Sequence, residues 1–176
     1  MRHLRSLAIA TLLSAALATG AAAQSQGFGA DPLYNSPLFN FEGFYAGAQG
    51  GAAWLFGPGT VSWTAAGVAG VNFALSDALL AGLEFQGGAT FGAAGVTGAD
   101  ILLLGHVGGY LTNDLMIYGA LGGGLVNGAG SYALGGGLEY PIADQLSVRG
   151  EVLGTGAFGA APNALRGSAG LLFHMN

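Results

Sequence analysis

The sequence predicts an all-β fold, an eight-stranded antiparallel up-and-down transmembrane β-barrel. Three observations predict it: side chains alternate in character with a period of two, charged residues are scarce, and turns recur at intervals suited to strands that cross a bilayer. A period of two indicates a strand because successive side chains point to opposite faces of a sheet. Only 7% of the 176 residues are charged. Soluble domains typically contain about a quarter.

The composition excludes several other classes of protein. The chain is 52% hydrophobic, yet it has 35 glycines and no cysteine. Its apolar stretches after the N-terminal region are broken by glycine too often for transmembrane helices. Because unpaired backbone groups are costly in hydrocarbon, a closed barrel is the remaining way to span a bilayer. The formal net charge of −5 argues against nucleic acid as a partner.

The N-terminal region divides into two predicted segments ahead of the barrel. Residues 1–23 have the features of a cleaved secretory signal peptide: Arg2 and Arg5, then an apolar core, then three alanines before the cleavage site. A short membrane anchor is the alternative, but the core is short and no stop-transfer charges follow it. Residues 24–42 contain two prolines and no regular period, which predicts a periplasmic arm or linker. Residues 43–176 are predicted to form the outer-membrane barrel.

Eight strands are predicted in order along the barrel region, each about as long as a tilted strand needs to be to cross a bilayer. In most of them an apolar face lies opposite a face of glycine, alanine, serine and a few charges. The predicted strands are 43–56, 60–75, 79–91, 101–112, 115–126, 131–140, 146–158 and 165–173. Residues 92–100 are predicted to be a loop of small residues, and residues 174–176 a short tail.

The clearest alternation occurs in residues 131–158. Leu138 and Tyr140 share one face there, whereas Ser131 and Glu139 share the other. A membrane barrel directs its apolar residues outward to lipid and its small or polar residues into the lumen. The sequence therefore predicts which side chains face lipid and which face the lumen.

The turns fall into two classes, which predict the two rims of the barrel. Alternate turns contain Asp77, Asp114 and Asp144, whereas the others are rich in glycine and alanine. Aromatic side chains near both sets of turns are expected to form lipid-facing girdles, because aromatic rings settle at the level of the lipid headgroups. The predicted girdle residues are Phe44, Trp54, Trp63, Phe73, Phe91, Tyr132, Tyr140, Phe158 and Phe173.

Four segments resemble the OmpA-like outer-membrane barrel superfamily, in particular its small-porin and surface-antigen branch in Gram-negative bacteria. They are FEGFYAGAQGGAAW (41–54), AGLEFQGG (81–88), LTNDLMIYGALGGG (111–124) and GGGLEYPIADQLSVRGEV (135–152). The resemblance covers almost all of residues 43–173. It implies a charged network inside the lumen, at positions matching Glu84, His106, Glu139 and Arg149, with Glu151 and Arg166 nearby. His106 departs from the family, in which that position carries a lysine, and we expect it to balance the surplus of carboxylates by protonation.

The sequence offers little support for catalysis or for a bound cofactor. His3, His106 and His174 lack the spacing of metal ligands. Serines near the glycine-rich rim, Ser62 and Ser131, have no histidine close to them in the predicted topology. We therefore predict no catalytic, cofactor-binding or metal-binding residues.

The function predicted from these features is that of an outer-membrane barrel with a structural or narrow-pore, porin-like role. Eight-stranded barrels have interiors filled by side chains, which argues against a wide pore. The expected partners are outer-membrane lipids, lipopolysaccharide and, during biogenesis, the outer-membrane assembly machinery, with a monomer as the expected state. The alternative is a soluble exported barrel that binds an apolar ligand, which would require an apolar lumen and a polar exterior.

Overall fold

The computed structural model describes residues 39–112 and 114–175. The predicted signal peptide, 1–23, and most of the predicted arm, 24–42, lie outside the described residues. Within them, the structure contains eight strands of 11 to 16 residues. These are β1 (Gly43–Leu55), β2 (Val61–Ser76), β3 (Leu79–Gly92), β4 (Gly95–Tyr110), β5 (Met116–Val126), β6 (Ala129–Ala143), β7 (Leu146–Ala157) and β8 (Ala164–Met175). No helix in these residues has the length and apolarity needed to cross a membrane.

The eight strands form one closed antiparallel barrel, which confirms the predicted fold. Each strand pairs with its neighbour in sequence, and β1 pairs with β8 to close the ring. Following paired residues around the ring from Tyr45 leads back to β1 at Leu55, ten residues further along. A stagger of this kind requires strands that tilt relative to the barrel axis. The tilt decides which inward-facing side chains meet at a given depth.

The two classes of turn lie at opposite ends of the barrel, because consecutive strands are antiparallel. Asp77, Asp114 and Asp144 lie in the connections that follow β2, β4 and β6. We call this the Asp end, and the opposite end the Gly/Ala end. β1 begins and β8 finishes at the Asp end.

The exterior of the barrel is apolar. Seven of the nine predicted girdle aromatics are exposed, for example Phe44 at 65% and Trp63 at 70%. The other two, Phe91 and Tyr132, are half-buried. Large aliphatic side chains are also exposed between the two aromatic levels, among them Leu83, Leu103 and Val107. Such a surface is suited to lipid and not to water.

Two predicted boundaries are wrong. The predicted loop at 92–100 is mostly strand, because β3 and β4 are joined by a two-residue turn and β4 already begins at Gly95. Gly95 has a φ of 110°, a backbone conformation that residues other than glycine rarely adopt. Glycine at this position therefore allows the tight reversal of the chain. The predicted tail at 174–176 is also wrong in part, because His174 and Met175 are the last residues of β8 and pair with Tyr45 and Phe44.

Candidate functional site in the barrel lumen

The inward faces of β3, β6 and β7 bring a buried arginine against two carboxylates. Arg149 and Glu139 are directly opposite each other on β7 and β6. Arg149 donates to Oε2 of Glu139 from Nε at 3.1 Å and from Nη2 at 2.9 Å. Its Nη1 donates to Oε2 of Glu84 on β3. Arg149 is only 2% exposed, so these ion pairs are buried in the lumen. One guanidinium therefore binds two carboxylates there.

Two tyrosine rings flank the same guanidinium. The Cζ atom of Arg149 is 5.1 Å from the ring centroid of Tyr45 and 5.2 Å from that of Tyr118. Cations within about 6 Å of an aromatic face are attracted to its electron-rich centre. The hydroxyl of Tyr45 also donates to Oε2 of Glu84 at 2.5 Å. The two rings therefore contact the guanidinium of Arg149 through its Cζ atom, while the carboxylates accept hydrogen bonds from its nitrogen atoms.

A third carboxylate, Glu151, joins this group through an amide. Nε2 of Gln86 donates to Oε1 of Glu84 at 2.8 Å and to Oε1 of Glu151 at 2.9 Å. The hydroxyl of Tyr118 donates to Oε2 of Glu151 at 3.0 Å. Among the described residues, no arginine or histidine forms an ion pair with Glu151. Its negative charge is stabilised by neutral donors and by the nearby guanidinium.

On the side facing the Asp end, Glu139 also contacts a serine and a histidine. Oγ of Ser147 donates to Oε1 of Glu139 at 2.6 Å, and Nε2 of His174 is 2.7 Å from the same oxygen. Nε2 of His174 is also 3.2 Å from Oγ of Ser147. In a serine–histidine–acid triad the serine and the acid contact different ring nitrogens. Here both contact Nε2, and all three side chains are fully buried, so the arrangement is not a nucleophilic triad.

These contacts define a single group of connected side chains, which we call the central cluster. Its members are Tyr45, Glu84, Gln86, Tyr118, Glu139, Ser147, Arg149, Glu151 and His174. It contains three carboxylates, one guanidinium and one imidazole. Buried charges are tolerated when they are paired and hydrogen-bonded, which is the state of Glu84, Glu139 and Arg149.

The structure places all six residues of the predicted lumen network on the inward face, but it does not bring all of them together. Arg166 lies nearer the Gly/Ala end, where its Nη1 donates to Oδ2 of Asp100 at 2.9 Å. The ring of His106 is 2.7 Å from Oδ1 of Asn72 and forms no ion pair among the described residues. The expectation that His106 balances the surplus acids is therefore wrong in geometry. The histidine that contacts a carboxylate is His174.

Several members and neighbours of the cluster were not among the predicted site residues. Tyr45, Gln86 and Ser147 belong to the inward set by their period of two, so the alternation alone could have identified them. Asp100 was missed because it was assigned to a loop. His174 was missed because the end of the last strand was set at Phe173.

Buried apolar side chains lie on both sides of the central cluster, and toward the Gly/Ala end they share the lumen with the Arg166–Asp100 pair. Toward the Gly/Ala end these are Leu102, Leu104, Ala133 and Leu153, all at most 1% exposed. Toward the Asp end they are Leu80 and Met116, together with Phe39 and Phe41 from the segment that precedes β1. Within the described residues, buried side chains therefore occupy the lumen on both sides of the central cluster.

A shallow groove of about 630 Å³ runs across the outer wall of β6, β7, β8 and β1, and Glu151 of the central cluster is among the residues that line it. Outward-facing glycines form its floor, among them Gly50, Gly136, Gly150 and Gly167. Among the described residues no group of three or more histidine, aspartate or glutamate side chains could hold a metal ion.

No protein-family model matches the chain, and no curated protein matches its sequence. Among solved structures, it is similar to a chain described as "De novo design of transmembrane beta-barrels", with a TM-score of 0.51 and 15% identity over 77% of this chain and 98% of that one. It also matches "KdgM porin in complex with disordered oligogalacturonate" (TM-score 0.39, 9% identity, 76% and 99% covered) and "KdgM porin" (TM-score 0.36, 10% identity, 76% and 99% covered). The first similarity supports the barrel fold, and the TM-scores of the other two are too low to carry any argument.

Proposed function

We propose that this protein is an outer-membrane β-barrel of the OmpA-like type, with a structural role and a lumen that conducts at most water and small ions. One observation carries the proposal: the polarity of the barrel is the reverse of that of a soluble protein. Large apolar side chains such as Phe44, Trp63 and Leu83 are exposed, whereas Glu84, Glu139 and Arg149 are buried inside. A barrel of this kind is stable when hydrocarbon surrounds it.

The same observation weighs against the alternative of a soluble barrel that carries an apolar ligand. Such a carrier needs a polar exterior and an open apolar lumen. Here the lumen holds the charged central cluster and the Arg166–Asp100 pair, and the leucine, phenylalanine and methionine side chains on either side of the cluster are buried. The outward-facing groove is open to the barrel's surroundings and is floored by glycine backbone.

The resemblance to the OmpA-like superfamily supports the location and the partners in this proposal. It suggests that the Asp end faces the periplasm and the Gly/Ala end the cell exterior. Outer-membrane lipids and lipopolysaccharide would surround the apolar wall, and the outer-membrane assembly machinery would insert the barrel. We propose a monomer, without enzymatic activity.

Cell fractionation combined with a heat-modifiability gel tests this function. Folded outer-membrane barrels resist SDS and migrate differently after boiling, so the protein should be found in the outer-membrane fraction and shift its mobility on heating. Recovery as a soluble periplasmic protein would refute the proposal. Conductance of the purified protein in planar bilayers then separates a closed structural barrel from a narrow pore. Large, stable currents comparable to those of wide porins would contradict the packed lumen.

A further inference from the structure

The four residues before β1, 39–42, lie at the mouth of the lumen at the Asp end. Phe41 is fully buried and Phe39 is 4% exposed, whereas Asn40 between them is exposed. Both phenylalanines continue the inward parity of β1, in which Tyr45 and Gln49 also face the lumen. Their rings pack together with a centroid separation of 4.7 Å.

Aromatic side chains at the mouth surround these two rings. The ring of His174 is 5.0 Å from that of Phe39 and 5.7 Å from that of Phe41, in each case edge to face. The ring of Tyr110, the last residue of β4, is 5.8 Å from that of Phe41. Edge-to-face contacts at these distances are favourable. The segment therefore occupies a site that the barrel provides for it.

A polar contact holds the backbone of the segment in the mouth. Nδ2 of Asn72 donates to the carbonyl oxygen of Phe41 at 2.8 Å. Because the amide nitrogen of Asn72 is the donor, its Oδ1 is an acceptor, and His106 must donate to it from Nε2 at 2.7 Å. His106 is thus a positioning residue for Asn72, which explains a buried histidine that contacts none of the carboxylates.

Two local features bend the chain into the mouth. The backbone nitrogen of Glu42 donates to Oδ1 of Asn40 at 2.9 Å, which closes a tight turn. Gly43 then has a φ of 91°, in the region that favours glycine, where the chain leaves the mouth and enters β1. The bend lies between the segment and the first strand, so the segment can leave without breaking the barrel ladder.

We propose that residues 39–42 are an internal plug that controls access to the lumen from the Asp end. The plug covers Met116 and Leu80 and, beyond them, His174 and Glu139 of the central cluster. It extends the proposed function by assigning a regulatory contact to the lumen. It does not depend on whether the lumen conducts.

The absence of cysteine from the chain allows a direct test by single-cysteine labelling. Met116→Cys places a thiol beneath the plug, at a side chain that is 1% exposed. Labelling of the folded protein in detergent by a charged methanethiosulfonate reagent should be at least tenfold slower there than at Ala160→Cys, which lies in an exposed turn. This comparison leaves residues 39–42 unchanged, and equal labelling rates at the two positions would overturn the proposal.

Removal of the plug rings should then open the site. In the Met116→Cys background, Phe39→Ala with Phe41→Ala should raise the labelling rate at least tenfold. Phe44→Ala, which removes a lipid-facing ring three residues away, is the matched control and should leave the rate unchanged. Asn72→Ala, which keeps both rings and removes the donor to Phe41, should give an intermediate rate.

Heat modifiability of each variant shows whether its barrel is folded. If the double variant does not fold, Asn72→Ala alone decides the outcome. An unchanged labelling rate in every folded plug variant would overturn the proposal. Faster labelling without any change in bilayer conductance would support the plug and refute only the narrow-pore role.

Discussion

Glu139 and Arg149 lie directly opposite each other on β6 and β7, and two nitrogens of Arg149 donate to a single oxygen of Glu139. The remaining terminal nitrogen of the same guanidinium donates to Glu84, on the other side of the lumen. One cation is therefore shared by two buried acids from different strands. The centre of the barrel depends on Arg149 more than on any other single charge.

Replacement of Arg149 should therefore be strongly destabilising. Arg149→Ala leaves Glu84 and Glu139 buried without their cation, and removal of one partner of a buried ion pair typically costs about 3–5 kcal/mol. His106→Gln should cost no more than about 1.5 kcal/mol, because it affects one neutral hydrogen bond and glutamine can still donate to Asn72. Denaturant titration in detergent or bilayers measures both. Wild-type stability in Arg149→Ala, or a larger loss in His106→Gln, would show that the contacts around Arg149 contribute little.

Removal of the charge of the third acid, Glu151, should not lower the free energy of unfolding. Among the described residues, Glu151 has only Gln86 and Tyr118 as hydrogen-bond partners, so its charge is the least compensated of the three. Glu151→Gln keeps the shape and one acceptor oxygen while removing that charge, so stability should be unchanged or higher. Glu84→Gln should lower the free energy of unfolding by about 1.5–3 kcal/mol, the range for a hydrogen bond to a charged group. Equal losses in the two variants, measured by the same titration, would contradict this account of the charges.

Arginine substitutions at outward-facing and inward-facing positions test which side chains face lipid and which face the lumen. Leu83→Arg and Val107→Arg place a charge on side chains that are 54% and 55% exposed on the outer wall. Each should cost about 2–4 kcal/mol in a bilayer, the range for arginine at the midplane of a membrane barrel. Gln86→Arg should cost clearly less, because it places the same charge between Glu84 and Glu151. Equal costs at the three positions would mean that the inside and outside faces are assigned wrongly.

The sequence was sufficient to predict the barrel because alternation and turn chemistry are local properties. Phe44 and Tyr45 differ in environment through their position in a period of two, and no long-range information is needed to separate them. Asp77, Asp114 and Asp144 identify one end of the barrel in the same way. The number of strands then follows from the number of turns.

The partners inside the lumen could not be predicted from local patterns. Glu139 meets His174 across 35 positions of sequence, and Arg149 meets Glu84 across 65. Which inward side chains share a depth depends on the stagger with which β8 closes onto β1, and no single strand encodes that stagger. The resemblance implies His106 as the histidine of the network, whereas the barrel brings His174, at the end of β8, to the carboxylate of Glu139.

Some inward-facing glycines have no room for a Cβ atom, because backbone atoms of the paired strand lie too close. A Cβ at Gly135 on β6 would overlap the carbonyl oxygen of Val152 and lie 2.9 Å from the Cα atom of Leu153 on β7. These are backbone atoms of a paired strand, so they cannot rotate away. Gly150 on β7 faces outward and would meet nothing within 4 Å.

Gly135→Ala should therefore cost about 1–3 kcal/mol, the usual penalty for overpacking, or displace the pairing of β6 with β7. Gly150→Ala is its matched control and should be neutral or stabilising by up to about 1 kcal/mol, because alanine restricts the unfolded chain more than glycine does. Denaturant midpoints measured for the two variants in the same detergent give the comparison. Equal tolerance of both alanines would show that the inner wall is less closely packed than the register of β6 and β7 implies.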